Sequence, residues 1–411
     1  MTRDEILQEI LNIPNNNILL ELATGVGKTR LALNLANKFI SSVPKNERKI
    51  LIVYPRNVLD SDWRAEVTKW NMEHLLPYIT FINYASLHKY AVDKEGKQIK
   101  YTCCIFDESH HLSDLKRELV LGYSSSHNIL LSATVGRNLK QALSALFKPL
   151  YIYKVPVKVA IEEDILPDPT IIKIPISLKD IKERQSWCIN PKGKYTNNMI
   201  FPLNNATYWK LKKQGNKDYK YTMKGTALEY NFLQNSLIDF YKGKSKGNAV
   251  MKNIYIRMCG DRLEWYAMAK TTIVKQILDT LKYYKTLTFC TNIAQADCLS
   301  KNAIHSKNKQ ANEIKQSFNE GKIKHITAVD MVTEGANLAG CKFGIWARYN
   351  TSETKIPQKI GRILRHKTPY IILPYFVNTK EEEIVDMMCE TVGSKDRIIT
   401  TTISNLKNVI K

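Results

Sequence analysis

The sequence predicts an α/β protein built on parallel sheets, and three observations point there. Apolar runs of strand character alternate with helical segments over about 150 residues at the start of the chain. The first of these runs, ILL, leads straight into ELATGVGKTR at residues 21–30, a loop of small residues ahead of a helix. A later run, CCIF, breaks at once into DESHHL. Strands that end this way place their polar residues beyond the carboxyl edge of a sheet, where open parallel sheets hold ligands.

Taken in order, residues 18–22 read as a buried strand and 30–39 as the helix after it. Between them Ala23, Thr24, Gly25, Val26, Gly27, Lys28 and Thr29 form the loop, and Arg30 opens the helix. Gly25, Gly27, Lys28 and Thr29 supply the informative end of the phosphate-loop pattern, with Ala23 where the strict pattern has its first glycine. Small residues let consecutive backbone N–H groups wrap a phosphate at the helix N-terminus. Lys28 brings charge to the outer phosphates and Thr29 a hydroxyl to Mg²⁺. LIVYP at 51–55 is a strand stopped by proline, followed by helical spacing in Leu59, Trp63, Val67 and Trp70. ITFINYASLHKY at 79–90 gives a further strand and a helix start, and NILLSATVGRN at 128–138 a strand ending in hydroxyls. Asp107, at a strand end, can hold Mg²⁺ opposite Thr29, while Glu108 can orient or deprotonate an attacking water. Phosphoryl transfer also needs positive charge beyond that of Lys28, so arginines must arrive from elsewhere.

Composition sets the limits. The chain has 411 residues, 44% of them hydrophobic, which suits two domains with a smaller insert. No apolar run approaches the roughly 18 residues of a membrane span, and MTRDEILQEI is no signal peptide. Eight scattered cysteines form no C-x₂-C couple and read as reduced thiols of an intracellular protein. The formal charge of +22, from 61 Lys+Arg against 39 Asp+Glu, either favours a polyanionic partner or reflects lysine-rich coding.

The phosphate loop, DESH at 107–110 and SAT at 132–134 together resemble the first motor domain of superfamily 2 helicases and translocases of the DExH kind. The second half continues the resemblance: KTLTFCTNIAQADCLS at 285–300, HITAVDMVTEGANLAG at 325–340 and QKIGRILRH at 358–366 are similar to motifs IV, V and VI. The resemblance implies two RecA-like domains with ATP and Mg²⁺ between them. It makes Arg362 and Arg365 the arginines that reach across, with Gln358 on the same face. Spacing of i and i+3 on a helix allows that pairing. Gly335 joins the nucleotide site by resemblance, and Ser132, Thr134, His110 and Asp330 the coupling of hydrolysis to movement. His110 either touches nucleotide or belongs to that network, and His111 packs locally or faces solvent. Pro55, Arg56, Tyr84, Thr291, Asn292, Glu334 and Asn337 are the implied nucleic-acid contacts. Gln8 is the one glutamine ahead of the loop, as adenine reader or as surface residue.

The expected boundaries are 1–155 for the first motor, 156–262 for a basic inserted subdomain and 263–411 for the second motor and tail. Within the insert, residues 208–224 carry six lysines and one acid. Lys210, Lys212 and Lys213 could follow a phosphate backbone while Trp209 and Tyr221 stack on bases, or those rings are the subdomain's own core. Residues 242–250 read as a basic loop. The resemblance implies an ATP-dependent DNA helicase or translocase, travelling 3′→5′ and suited to forked or branched DNA. Compact phage-encoded helicases, acting beside recombination or replication proteins in a host cytoplasm, are similar. A restriction-system motor, a nucleic-acid-stimulated clamp and an RNA helicase are the alternatives.

Overall fold

The computed structural model describes residues 1–55, 59–93, 95–112, 114–121, 123–190, 199–202, 222–329, 338, 340–349, 355–392 and 395–410. At 114–116, 121, 186–190, 199–202, 222–224 and 355–358 only the backbone is described. The first sheet has six strands: β1 (Asn17–Leu22), β2 (Ile50–Tyr54), β3 (Ile79–Asn83), β4 (Lys100–Phe106), β5 (Ser124–Ser132) and β6 (Leu150–Val155). Their order is β3-β2-β4-β5-β1-β6, and every pairing is parallel. Connecting them are α1 (Arg3–Leu11), α2 (Lys28–Ser41), α3 (Leu59–Lys69), α4 (Asp114–Leu121) and α5 (Arg137–Leu146), with α6 (Val157–Glu162) after the last strand.

Alternating side chains divide the burial between the faces. Ile129 of β5 belongs to the same apolar cluster as Ile6, Leu35 and Trp63 from α1, α2 and α3, whereas Leu130 next to it belongs to the cluster of Val120 and Leu143 from α4 and α5. Helices on both faces explain why these strands read as unbroken apolar runs.

The second sheet contains β7 (Thr170–Ile176), then β11 (Thr286–Phe289), β12 (Ala303–Ile304), β13 (His325–Ala328), β14 (Phe343–Trp346), β15 (Tyr370–Phe376) and β16 (Ile398–Thr400). Its order is β12-β13-β11-β14-β15-β7-β16, again parallel. Between β7 and β11 lies a small antiparallel sheet of β8 (Gln185–Asn190), β9 (Met199–Pro202) and β10 (Thr222–Gly225), in the order β10-β8-β9. Two long helices follow, α7 (Ala227–Lys244) and α8 (Ala249–Ala269). The remaining helices are α9 (Thr271–Thr280), α10 (Ile293–Leu299), α11 (Ala311–Asn319), α12 (Lys355–Ile363), α13 (Lys380–Val392) and α14 (Leu406–Val409).

Three sequence expectations change here. Strand β7 falls inside the range assigned to the insert, yet it is buried between β15 and β16 of the second sheet. An apolar strand of seven residues finds its largest burial there rather than in an accessory unit. The 262/263 boundary cuts the continuous helix α8. Residues 242–250 are no long loop: they finish α7, turn through Gly247 at φ 74° and begin α8. Among the described residues a distinct basic subdomain is not identified, and Trp209, Lys210, Lys212, Lys213 and Tyr221 lie outside them.

Helix α8 gives way to α9 at Lys270, which is fully buried. Its ammonium donates to Glu381 Oε1 at 2.6 Å and to the Pro374 carbonyl at 3.1 Å, and sits 4.6 Å above the Tyr349 ring. Glu381, equally buried, accepts the Phe376 N–H on its other oxygen at 3.1 Å. Burial lowers the lysine pKa and raises that of the carboxyl, and each partner's charge works against both shifts.

Candidate active site

Strand β1 is buried over its last five residues and flanked by β5 and β6, so the chain leaves it at the carboxyl edge. Gly25 (φ 100°) and Gly27 (φ 112°) make the tight loop in the left-handed region that side chains resist. Helix α2 then starts at Lys28. The Lys28 ammonium donates to the Leu22 carbonyl at 3.1 Å. Burial lowers its pKa, while Glu108 and Asp107 hold it up.

Strand β4 delivers Asp107 to the same edge. Its carboxylate accepts the Glu108 N–H on Oδ1 at 2.9 Å and the Trp63 indole N–H on Oδ2 at 3.1 Å. Burial first, and then the Glu108 charge, push the Asp107 pKa up to about 7. The Trp63 N–H, the Lys28 charge and the Glu108 N–H work against that rise. Thr29 lines the same cavity, and Mg²⁺ characteristically takes one or two protein ligands, so these residues fit it. Glu108 itself has φ 47° and ψ 55°, a strained conformation for a residue with a side chain. Beyond it, His110 Nδ1 lies 3.4 Å from both Glu108 Oε2 and Ser132 Oγ, and the Ser132 hydroxyl donates to the Thr134 carbonyl at 2.9 Å. The structure thus brings Glu108, His110, Ser132 and Thr134 into one chain of contacts, and the His111 ring lies tilted at 4.4 Å from that of His110.

The opposite wall comes from the second sheet's side. Helix α12 lies so close to the phosphate loop that a Cβ on Gly361 would stand 2.4 Å from Thr24 Cβ. Arg362 is buried, and Arg365 lines the same cavity, which has a volume of about 550 Å³. Burial and then Arg365 lower the Arg362 pKa to about 10, against the pull of Glu108, Asp62 and Asp107. Helix α3 forms a third side with Asp62, Trp63, Glu66, Lys69 and Trp70, and Asp62 reaches Lys315 of α11 at 3.7 Å. Arg30 stacks 4.6 Å over Trp70 while donating to Asp4 at 2.8 Å. Arg3 donates to the Gly25 carbonyl at 3.3 Å. Gln8 is exposed on α1 and does not line this cavity, so its surface reading is the one the fold matches.

Several candidate residues sit elsewhere. Tyr84 is buried and its hydroxyl donates to the Asp107 carbonyl at 2.9 Å. As a direct strand contact it is therefore corrected: a ring closed off from solvent cannot touch a polyanion. Thr291 is buried, and the Asn292 side chain is used within the domain, capping α10 at Gln295 N and donating to Glu264 at 2.7 Å. Pro55 is half-buried beside Arg56, which lies outside the described residues, as do Asp330, Glu334, Gly335 and Asn337. Gln358 stands one turn before Arg362 on α12, its side chain outside the description.

Sequence reasoning missed two supports. Trp63 reads as helix core because its spacing is that of a buried stripe, yet its N–H serves Asp107. Glu21, a lone carboxylate in the strand NILLEL, is buried and accepts from Lys140 at 2.7 Å and from Val135 N at 3.2 Å. That ties the segment after Thr134 to the strand that carries the phosphate loop. A charge inside an apolar strand was the available signal. Trp63→Phe, which keeps the ring and removes the N–H, is expected to raise the Mg²⁺ needed for half-maximal ATPase about tenfold. Turnover at saturating Mg²⁺ should change little. A steady-state Mg²⁺ titration checks both.

Two parallel-sheet domains flanking a phosphate-loop cavity, taken with the two family matches that follow, give a superfamily 2 helicase fold of the DExH/DEAD-box type. The two family models agree with that class. Residues 3–137 match the family described as Type III restriction enzyme, res subunit, and residues 269–367 match the Helicase conserved C-terminal domain. The chain is similar in structure to S. cerevisiae Dbp5 bound to RNA and ADP BeF3, with a TM-score of 0.59, 10% identity, and 99% of this chain and 90% of that one covered. A variant of the same protein gives 0.59 and 11% over the same shares. The Pyrococcus furiosus Hef helicase domain gives 0.47 and 12%, over 94% and 97%. No curated protein matches the chain in sequence. Proteins of this class are ATP-dependent nucleic-acid translocases or helicases that use ATP and Mg²⁺, and the two matched families place that general activity on this chain. Among the described residues no helix is long and apolar enough to cross a membrane.

Proposed function

We propose that the chain is an ATP-driven DNA helicase or translocase that travels 3′→5′ and acts on forked or branched DNA. The observation that carries the motor reading is the shared cavity. Lys28, Asp107 and Glu108 stand on one domain, and Arg362 and Arg365 on the other. Chemistry that needs both walls rewards closure, and loss of the γ-phosphate removes the reason for it. The res-subunit match of the first domain favours DNA over RNA, and the formal charge of +22 suits either polyanion.

In this reading Lys28 leaves the Leu22 carbonyl to meet the outer phosphates. Thr29 and Asp107 would hold Mg²⁺, which would supply charge neutralisation at the phosphate oxygens. Glu108 orients the attacking water and accepts its proton on a carboxylate oxygen. Arg362 and Arg365 meet the negative charge that grows on the transferring group. The Glu108–His110–Ser132–Thr134 chain then carries the change at Glu108 to the strand-end segment at 132–134.

Glu108→Gln is expected to lower turnover about 10²- to 10⁴-fold, the usual worth of a positioned base, while ATP binding survives. ATPase stimulation of the wild-type chain by matched single-stranded DNA, duplex DNA, forked DNA and RNA tests the substrate. Strand displacement from both polarities tests direction. Stimulation by RNA alone would overturn the DNA assignment. Translocation without displacement would favour a restriction-type motor, which the res-subunit match also accommodates.

A further inference from the structure

Helices α7 and α8 form an antiparallel hairpin whose two ends differ in chemistry. Its base is anchored. Tyr230 packs 4.7 Å from Trp265, the Tyr266 ring lies 5.8 Å from Phe376 of β15, and Arg262 donates to Asn235 at 2.6 Å. The Trp265 indole donates to Gln185 of β8 at 2.9 Å. Because α8 runs unbroken for 21 residues, about 31 Å, the far end of the hairpin is a rigid extension of the second domain.

The outer face of α7 is apolar where solvent normally selects polar residues. Leu228 is 46% exposed, Phe232 70% and Phe240 37%. With Ser236 between them and Lys244 beyond, they form a single i, i+4 row. Charge then separates the possible occupants. From residue 239 to residue 261 five basic side chains, Lys242, Lys244, Lys246, Lys252 and Arg257, outnumber two acids, Asp239 and Asp261, of which Asp261 faces Arg257. The Lys244 ammonium lies 4.3 Å from the Phe240 ring. Exposed rings beside the three lysines of an acid-free turn, residues 240–248, fit a strand with unstacked bases and a phosphate backbone. An ordinary apolar protein groove supplies nothing for the cations.

We propose that the outer face of α7 and the basic turn after it are a nucleic-acid contact surface, with Phe232 and Phe240 taking unstacked bases and Lys242, Lys244 and Lys246 taking phosphates. The surface is separate from the ATP cavity and moves with the second domain. It rests on the reading that the chain works on nucleic acid.

The test uses the full chain in three forms. Lys242→Gln/Lys244→Gln/Lys246→Gln should make the log–log salt slope for a single-stranded oligonucleotide shallower by about 2, at roughly 0.7 per lost phosphate contact. Phe232→Ala/Phe240→Ala should weaken single-strand and fork affinity about tenfold or more. ATPase without nucleic acid and the melting temperature should match wild type in both. Phe232→Trp should show indole quenching on addition of single-stranded DNA and none with heparin, a polyanion without bases. Unchanged affinity and slope in variants of a wild type that does bind would overturn this surface and leave the motor reading intact. Wild type that binds neither DNA nor RNA would overturn both. Indole changes that follow protein concentration alone would assign the ridge to a second copy of the chain and overturn the nucleic-acid occupant.

Discussion

Arg362→Ala is expected to lower the ATPase turnover by about 10³-fold or more, with the apparent affinity for ATP changed only a few-fold. The side chain is buried in the cavity wall, and α12 presses against the phosphate loop through Gly361, which fixes it there. Its charge is held there by Glu108, Asp62 and Asp107, which also shows how near it stands to the acidic end of β4. That position suits charge developing in the transition state better than charge already present in the ground state. Arg362→Lys should recover little, because an ammonium lacks the planar fork that meets two oxygens at once. Steady-state kinetics beside direct nucleotide binding separates turnover from affinity. A variant that keeps wild-type turnover would remove the two-walled site.

Lys270→Ala is expected to destabilise the second domain by about 3–5 kcal/mol, because it leaves the Glu381 carboxylate buried without its partner. Glu381 keeps only the Phe376 N–H, and the Pro374 carbonyl loses a donor. The double change Lys270→Met/Glu381→Gln removes both charges and should recover at least half of the loss. Urea unfolding of the two variants beside wild type measures this. A single variant within about 1 kcal/mol of wild type would mean that water reaches the carboxylate and that the pair pins nothing.

Local chemistry is legible in a chain, and distance is not. The phosphate loop, Asp107–Glu108 and Ser132–Thr134 all follow apolar strands, and a parallel sheet has one carboxyl edge, so their convergence was readable from pattern alone. The arginine pair was readable only through resemblance, since nothing in GRILRH states what it faces. Tyr84 and Asn292 share one ambiguity: polar side chains in strand-end segments suit a ligand, and they suit groups of the protein at the same edge equally well. In this fold Tyr84 is taken by the Asp107 carbonyl and Asn292 by Glu264 and the α10 N-terminus.

What the sequence by itself determined was the kind of elements, the phosphate site and the acid that follows β4, because each depends on residues adjacent in the chain. Only the tertiary structure decided that β7 crosses early into the second sheet, and that Trp63 and Glu21 support the site. It alone placed Lys270 opposite Glu381, 111 positions along the chain. Each of these is a burial or a hydrogen bond between distant segments, and its partner is chosen by packing of the whole sheet rather than by any local preference.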